Sequence, residues 1–371
     1  MADRPDPELE AFLQRLGALG PALLGVLGDF EQVARHLDPP RIESLREALR
    51  PRVDQLQAAA ESLAAGPLPE PMRPLAEQLG HAVGHALRAG RLFIDPESGG
   101  DPIASVLGAM HTHCLAQQAV FPLREVFPAF DRYFIEARFE NRLPALRSAA
   151  ESEARTGLFN ASNETQQRGG FSLFVPESYA ADRTWPLIVA LHGGSGHGAD
   201  FIWSWLREAR GRDHILIAPT SRGSTWSFNG PDVDASGLDS ILEYVREHWR
   251  IDPDRMLLTG LSDGATYSLY RGLAEDSPFT HLAPLSGVLH PMNLANGNLE
   301  RAAGRPVYLV HGERDWMFPI EIAREAARVL TEAGAELVYR EIADLSHTYA
   351  REENASILEW MAGRGAASPG A

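Results

Sequence analysis

One stretch in the middle of the chain constrains the fold more than any other. Residues 256–259 form a short apolar run, and the segment 265–271 contains neither Gly nor Pro. This pattern predicts a strand, a sharp turn and a helix. Ser262 lies in the turn, with Gly260 and Gly264 two positions to either side. Glycine is required there because a strand that reverses into a helix so quickly brings the flanking positions against neighbouring backbone.

This G-x-S-x-G arrangement is the pattern of a nucleophile elbow. The strain of the turn lifts the Ser262 hydroxyl clear of the sheet. The amide N–H of Asp263 then lies at a helix N-terminus, where it can stabilise a developing oxyanion. Short patterns of this kind also arise by chance in a chain with 33 Gly. The elements around the motif, and those that follow it, therefore decide the interpretation.

The composition excludes several classes of protein. A formal net charge of -16 at pH 7 argues against binding to nucleic acid or to an anionic membrane surface, since both need a clustered Lys/Arg face. The single cysteine, Cys114, rules out an internal disulfide framework and fits a reducing compartment. Cys114 lies in an apolar helical pattern, which favours a buried structural thiol over a nucleophile.

The start of the chain lacks the pattern of a membrane span or a signal peptide. Its longest apolar stretch, residues 16–28, is interrupted by Pro21 and by glycines and is too short to cross a bilayer. The preceding residues are acidic where a signal peptide has a basic region. We therefore expect a cytoplasmic protein without a membrane span.

Residues 1–150 predict an all-helical N-terminal domain, because apolar residues recur at helical spacing and β-branched runs are few. Four apolar stripes stand out: Ile42, Leu45, Leu49, Val53, Leu56 and Leu63; Leu75, Leu79, Val83 and Leu87; Ile103, Val106, Leu107, Met110 and Cys114; and Phe127, Phe130, Phe134 and Ile135. Each stripe must be buried against another. The domain is expected to serve as a cap, as a packing domain or as the surface of a homo-oligomer.

Two histidines of this region have the spacing of metal ligands. His81 and His85 are four residues apart, which places both imidazoles on one face of a helix. That face points away from Leu79 and Val83, which belong to the predicted core. We therefore expect solvent-facing histidines and no metal site.

The pattern changes in the second half of the chain. Residues 151–170 predict a linker that runs into a first hairpin, and residues 171–361 predict apolar strands that alternate with amphipathic helices. The predicted strands are 171–175, 187–191, 215–218, 256–259, 282–285, 307–310 and 336–342, and the helices are 199–210, 238–249, 265–274, 320–333 and 349–361. Such alternation predicts an α/β fold with a mostly parallel sheet covered by helices on both faces. Residues 362–371 predict a disordered tail.

Two later strand ends carry side chains that complete a catalytic set. Acyl transfer needs a nucleophile, a base that takes its proton and an acid that orients the base. Asp315 follows the strand at 307–310, and His347 follows the strand at 336–342. Ser262, Asp315 and His347 thus occur in that order, each beyond the carboxyl end of a strand, where open α/β sheets build their sites.

Other side chains compete for these roles: the acids Glu313 and Asp344, and the histidines His290 and His311. His311 lies beside the acid, and His290 precedes the acid in the chain, so His347 is the better base. His192 belongs to a His-Gly-Gly turn after the strand at 187–191. We expect its role to be structural.

Together these elements resemble the α/β-hydrolase superfamily over about residues 157–361, and in particular its bacterial carboxylesterase, phospholipase-like and polyhydroxybutyrate-depolymerase-like esterases. The matching elements are Leu191-His192-Gly193-Gly194, Gly260-Leu261-Ser262-Asp263-Gly264, His311-Gly312-x-x-Asp315 and Ser346-His347. The resemblance implies that Ser262 attacks the acyl carbonyl, that His347 is first the general base and then the acid, and that Asp315 holds the imidazolium. It also implies an oxyanion hole made by the N–H groups of Asp263 and of the glycine turn, most readily Gly194.

Aromatic residues on loops are candidates for the substrate pocket. Trp226 and Phe228 lie on the long loop at 219–237, and Trp316 and Phe318 directly follow the acid. At this end of a sheet they could form an acyl or an alcohol pocket, or they could pack beneath the loops. Trp226 and Trp316 are the candidate substrate-binding residues.

The sequence therefore predicts a serine esterase that cleaves a small-molecule carboxylic ester through an acyl-enzyme, without a metal or an organic cofactor. A serine peptidase or a thioesterase of the same fold is an alternative, because the triad handles amides and thioesters as well as esters. A second alternative is a non-catalytic partner-binding protein with a vestigial hydrolase fold. The intact set of Ser262, Asp315 and His347 argues against it.

Overall fold

The computed structural model describes residues 7–96, 102–150, 155–164, 166–228 and 231–363. The chain divides into two compact units, with the boundary between Ala137 and Arg138. This boundary lies before the expected one at residue 150. The helical segment 143–149 therefore belongs to the second unit, where the neighbouring Arg142 forms an ion pair with Asp213 at 2.6 Å.

The first unit is built from helices. They are α1 (Pro7–Arg35), α2 (Ile42–Ala65), α3 (Arg73–Ile94), α4 (Pro102–Val120) and α5 (Pro128–Tyr133), with 3-10 turns at Pro39–Arg41, Glu70–Met72 and Phe121–Glu125. Helix α2 buries four residues of its predicted stripe, Leu45, Leu49, Val53 and Leu56, whereas Ile42 and Leu63 are partly exposed. Gly90 lets α3 approach this face. A Cβ at Gly90 would lie 2.4 Å from a methyl carbon of Val53. A larger residue at this crossing would therefore force the two helices apart.

Helix α4 departs from the prediction for its apolar stripe. Ile103 is 66% exposed and Leu107 is 51% exposed, whereas Val106 is buried. The helix is apolar nearly all round, so the spacing of its large side chains does not identify the buried face. Cys114 is partly exposed and not fully buried as expected. Thr112, His113 and Gln117 are buried polar residues of this helix, and His113 stacks on Phe30 at 4.7 Å.

Helix α1 is longer than the apolar stretch at 16–28. With 29 residues, it is long and apolar enough to cross a membrane by length and composition alone, a test that core helices of folded domains and signal sequences also pass. Nine of its side chains are buried, among them Leu23 and Leu27. The expectation of a protein without a membrane span stays a prediction.

The second unit is an α/β structure. After the 3-10 turn at Ala137–Arg142, its elements are α6 (Leu143–Ala149), β1 (Gly157–Ala161), β2 (Phe171–Val175), β3 (Trp185–Leu191), α7 (Gly198–Phe201), α8 (Leu206–Gly211), β4 (Ile215–Pro219), α9 (Val233–His248), β5 (Ile251–Leu261), α10 (Asp263–Gly272), β6 (His281–Leu285), α11 (Met292–Ala295), β7 (Pro306–Gly312), α12 (Ile320–Glu332), β8 (Glu336–Ile342) and α13 (Glu353–Met361), with further 3-10 turns at Ile202–Ser204 and Asn298–Ala302. Strand β1 lies within the predicted linker, because it is the first arm of the expected hairpin and pairs antiparallel with β2. The predicted tail at 362–371 lies almost wholly outside the described residues.

The strands form one mixed sheet with the order β1-β2-β4-β3-β5-β6-β7-β8. Strands β4, β3, β5, β6, β7 and β8 are parallel, and β2 joins β4 antiparallel. All seven residues of β3 are buried, as a central strand covered on both faces requires. From β3 the chain first moves to β4 on one side and then returns to β5 on the other. The carboxyl ends of β3 and β5 therefore border the crevice where open α/β sheets place their sites.

Candidate active site

The turn between β5 and α10 has the strained geometry that its sequence predicts. Ser262 has φ 56° and ψ -118°, a conformation that residues other than glycine rarely adopt. A Cβ at Gly260 would lie 2.5 Å from the carbonyl carbon of Gly264, and a Cβ at Gly264 would lie 2.3 Å from the carbonyl oxygen of Leu191. Both positions therefore exclude a side chain, and the strand can reverse into the helix only with glycine there.

The three residues of the predicted set come together at this turn. The Oγ of Ser262 lies 2.9 Å from Nε2 of His347. Nδ1 of the same ring lies 2.8 Å from Oδ2 of Asp315. These distances are those of two hydrogen bonds in series, so a proton leaving Ser262 has a base, and the cation formed on that base has a carboxylate partner.

The carboxylate of Asp315 is fixed from both of its oxygens. Oδ1 accepts the backbone N–H groups of Met317 at 3.0 Å and of Phe318 at 2.8 Å, which leaves Oδ2 for His347. The side chain is fully buried. The backbone N–H groups of Met317 and Phe318 thus fix the orientation of this carboxylate and leave Oδ2 directed at His347, where it can orient the ring and stabilise an imidazolium.

The competing side chains are placed differently. Glu313 and Asp344 are exposed, and His290 stacks on Phe228 at 5.4 Å. His311 is fully buried and donates through Nε2 to the carbonyl oxygen of Phe318 at 2.8 Å. The same nitrogen lies 3.4 Å from Oδ2 of Asp315. His311 therefore helps to position the loop that carries Asp315 and packs beside its carboxylate. Its place in the sequence beside Asp315 did not reveal this role.

The glycine turn after β3 lies against the elbow. A Cβ at Gly193 would lie 3.4 Å from Cβ of Ser262, and a Cβ at Gly194 would lie 2.7 Å from Oδ2 of Asp263. Within the turn, the N–H of Ser195 donates to the carbonyl oxygen of Ser224 at 2.7 Å, and the N–H of Gly196 donates to that of Gly193 at 3.0 Å. The amides of Ser195 and Gly196 are thus engaged within the loops, and the amide of Gly194 stays the predicted oxyanion donor of this turn beside that of Asp263.

His192 holds this turn as a neutral ring. Its Nε2 accepts the N–H of Ser221 at 3.1 Å, so Nδ1 carries the proton and donates to the carbonyl oxygen of Gly193 at 2.6 Å. Burial lowers the pKa of His192 to about 3, since the charged form would lose its hydration. Both ring nitrogens are engaged in structure, as expected for this position.

Trp226 corrects one of the two substrate-binding predictions. Its side chain is only 3% exposed, its Nε1 donates to the carbonyl oxygen of His192 at 2.8 Å, and its ring stacks on Tyr267 at 5.2 Å. A ring enclosed in this way offers no face to a ligand. Trp226 packs beneath the loops, which was the alternative that its sequence position left open.

Trp316 is exposed near the predicted base. Its side chain is 55% exposed, and its ring centre lies 6.3 Å from that of His347. Phe318 also approaches the imidazole, edge to face, at 5.2 Å. Both aromatic residues after the acid therefore flank the predicted base.

Arg168 is a residue of the site that sequence reasoning missed. Its guanidinium donates to the carbonyl oxygen of Gly196 at 2.7 Å and to that of Ser221 at 3.0 Å. A third guanidinium nitrogen bonds the hydroxyl of Ser221 and the carbonyl oxygen of Gly223. One planar fork thus ties the glycine turn to the loop after β4. The contacts span 28 to 55 residues, and no local pattern in the sequence signals them.

Two carboxylates, Asp234 and Asp263, complete the same network. The carboxylate of Asp234 accepts the N–H groups of Arg222 and Ser227, each at 2.8 Å, and so shapes the loop between β4 and α9. The hydroxyl of Thr225 donates to Oδ2 of Asp263.

Among the residues that the structure describes, no group of three or more His, Cys, Asp or Glu side chains could hold a metal ion. His81 is exposed and His85 partly so.

The fold and the site define a class of protein. The strained serine lies between two obligatory glycines at the carboxyl edge of a mostly parallel sheet, which is the geometry of the nucleophile elbow in α/β-hydrolases. In agreement with this class, residues 234–362 match the family model described as Phospholipase/Carboxylesterase. The second unit therefore has an α/β-hydrolase fold, and its residues 234–362 are similar to that family of esterases and phospholipases.

Solved structures of similar proteins include several esterases. A thermostable esterase is 22% identical, with 56% of this chain and 62% of that chain covered and a TM-score of 0.46. Serine hydrolase F of Staphylococcus aureus, which binds fluorophosphonates, is 15% identical, with 57% and 99% covered and a TM-score of 0.46. A thermophilic esterase of the Planctomycetes species Thermogutta terrifontis is 16% identical, with 58% and 97% covered and a TM-score of 0.44. No curated protein matches the chain.

Proposed function

We propose that this chain is a serine esterase that cleaves carboxylic esters of small molecules through an acyl-enzyme on Ser262. The observation that carries the proposal is the unbroken series of hydrogen bonds from Ser262 Oγ through His347 to Asp315, at 2.9 and 2.8 Å. A serine hydroxyl is a poor nucleophile until a base takes its proton, and this series supplies both the base and the group that orients it.

The proposed reaction has two halves. In the first, His347 takes the proton of Ser262 as the hydroxyl attacks the carbonyl carbon, and the N–H groups of Asp263 and Gly194 bind the developing oxyanion. His347 then gives its proton to the departing alcohol, which leaves an acyl-enzyme on Ser262. In the second half, the same imidazole activates a water that releases the acid. All charge changes are thus met by groups of this chain, and the chemistry needs no cofactor.

The test is the hydrolysis of p-nitrophenyl esters from acetate to palmitate by the full chain and by Ser262→Ala. We expect the variant to lose about 10⁴-fold or more in kcat, because the residues of a triad act as a unit. Ser286→Ala is the matched control. Ser286 also has a positive φ, of 52°, at the end of the neighbouring strand β6, and we expect its variant to retain activity.

Three other results would lead away from the ester proposal. Cleavage of amide or thioester substrates in preference to esters, abolished in Ser262→Ala, would identify a peptidase or a thioesterase of the same fold. Equal activity in the wild type and in Ser262→Ala would remove Ser262 from the mechanism. No activity on any of these substrates would favour a partner-binding protein with a vestigial site.

A further inference from the structure

Two apolar side chains that follow the acid are exposed. Trp316 is 55% exposed and Met317 is 46% exposed, although both directly follow the buried acid Asp315. Large apolar side chains in solvent cost free energy, and when they adjoin a catalytic crevice they usually mark the place of a ligand. Trp226, the other candidate aromatic residue, is enclosed.

The backbone that carries these two side chains is held firmly. Asp315 accepts the N–H groups of Met317 and Phe318, and the carbonyl oxygen of Phe318 accepts a hydrogen bond from His311. The backbone of segment 315–318 is thus fixed through two N–H groups, those of Met317 and Phe318, and through the carbonyl oxygen of Phe318. Trp316 and Met317 are therefore exposed on a segment whose backbone is fixed by hydrogen bonds.

The chemistry of ester cleavage indicates which part of the substrate lies beside Trp316. The oxygen that leaves must receive its proton from Nε2 of His347, so it must come within hydrogen-bond distance of that atom. The carbonyl oxygen points instead to the N–H groups of Gly194 and Asp263. The alcohol of the ester consequently extends along the imidazole, towards the side chains that flank it, and these include Trp316, with its ring centre at 6.3 Å.

We propose that Trp316 and Met317 form the subsite for the alcohol part of the ester, and that the enzyme prefers esters of apolar or aromatic alcohols. This inference rests on the proposed function. An indole face and a thioether side chain stabilise an aromatic or alkyl group by burying apolar area, and they offer a polyol no more than the single indole N–H. The acyl group, in contrast, is expected to make no contact with either side chain.

The experiment separates the two parts of the substrate. In one series the acyl group is butyryl and the alcohol is methyl, benzyl, naphthylmethyl or glyceryl. In the other the alcohol is benzyl and the acyl chain grows from acetyl to decanoyl. We expect kcat/KM of the wild type to rise from the methyl to the naphthylmethyl ester and to be low for the glyceryl ester.

The variant Trp316→Ala should flatten the alcohol series. We expect it to lose roughly 10- to 30-fold in kcat/KM on the naphthylmethyl ester and less than about threefold on the methyl ester, as the loss of one aromatic contact implies. The dependence on acyl chain length should keep its shape. Trp316→Phe should restore most of the loss, and Leu107→Ala, which changes a side chain of similar exposure on α4, should alter neither series.

A second readout follows from the order of the steps. The alcohol has left before the acyl-enzyme is hydrolysed, so the deacylation rate of the butyryl-enzyme should be the same in the wild type and in Trp316→Ala. A change in the acyl series or in deacylation would place the acyl group on Trp316 and overturn the proposal. An unchanged alcohol series would overturn it as well. Either result is distinct from failure of the proposed function, which Ser262→Ala decides.

Discussion

Around Ser262 the loops are held by buried side chains and by hydrogen bonds to the backbone. After Asp315, in contrast, Trp316 and Met317 are exposed to solvent. On the nucleophile side, His192 and Trp226 are buried and each bonds the backbone of another loop, and Arg168 fastens two loops at once. On the acid–base side, Asp315 is buried but the next residue, Trp316, is 55% exposed.

The difference corresponds to two tasks. An oxyanion hole stabilises a transition state only if its donors are fixed before charge develops, since any reorganisation during the reaction would cost free energy. A surface that selects among substrates must remain open to them. The nucleophile side therefore supplies proposed catalytic geometry, and the surface beside His347 supplies proposed selectivity. Variants that change one side should leave the other intact.

The largest effect is expected from Asp315, the buried acid on the acid–base side. Asp315→Asn should reduce kcat by about 10⁴-fold, because an amide cannot stabilise the imidazolium and favours the wrong tautomer of His347. The backbone N–H groups of Met317 and Phe318 can still bond the amide oxygen, so the segment should keep its conformation. Steady-state kinetics of the purified variant, with its far-UV circular dichroism, measure both expectations.

Glu313→Gln and Asp344→Asn serve as controls for this variant, because both acids were candidates from the sequence and both are exposed. We expect each to retain activity within a few-fold of the wild type. A loss in Asp344→Asn as large as that in Asp315→Asn would show that the base is oriented by a different carboxylate.

A smaller effect is expected on the nucleophile side from Arg168. Its guanidinium does not reach Ser262 in the network described, but it binds Gly196 at the end of the glycine turn at 2.7 Å. Arg168→Gln should lower kcat by roughly 10- to 100-fold and leave KM nearly unchanged, since displaced oxyanion donors weaken the transition state more than the ground state. Kinetics on the best ester of the acyl series measure this difference.

Two controls separate this positioning role from general destabilisation. Added guanidinium should restore part of kcat in Arg168→Ala, because the acceptors of Gly196, Ser221 and Gly223 remain in place. Arg324→Gln, which removes an exposed arginine paired with Glu341, should have no effect and no rescue. A rise in KM without a fall in kcat would mean that Arg168 binds substrate and does not position the turn.

The sequence predicted the parts of the site that depend on local pattern. Strand β8 has the bounds 336–342 expected from its alternation, and the strained turn at Ser262 follows from the two glycines beside it. Asp315 and His347 could be chosen because parallel strands bring their carboxyl ends to one edge of the sheet. The same reasoning could not find Arg168, whose partners lie 28 to 55 residues away. It also could not decide whether Trp226 lines a substrate pocket or packs beneath the loops.

The helical unit shows the same limit in another form. Apolar spacing predicts a helix wherever it is regular, but it identifies the buried face only if the other face is polar. In α3 the polar and apolar faces differ, and Leu79 and Val83 are buried. In α4 they do not, and the exposed side chains of Ile103 and Leu107 contradict the predicted stripe.

The smallest effect concerns stability below neutral pH and again tests the nucleophile side. Burial lowers the pKa of His192 to about 3 and that of His214 to about 4, from 6.5. Below pH 6.5 the unfolded chain therefore binds two protons that the folded chain does not bind. Their contribution to stability is complete above pH 6.5 and is lost as the pH falls towards 4 and then 3, by about 1.4 kcal/mol per pH unit for each histidine.

His192→Gln should reduce the pH dependence of the free energy of unfolding by the contribution of one histidine, about 1.4 kcal/mol per pH unit. A glutamine can accept the N–H of Ser221 but does not titrate. Urea unfolding at roughly pH 6 and pH 5 measures the slope as the change in the free energy of unfolding. His214→Gln should reduce the slope equally and leave ester hydrolysis unchanged, since His214 bonds only the carbonyl oxygen of Arg212 among its described partners. If His192→Gln left the slope unchanged, the ring would already be charged in the folded protein, and it could not accept the hydrogen bond of Ser221 that fixes the glycine turn.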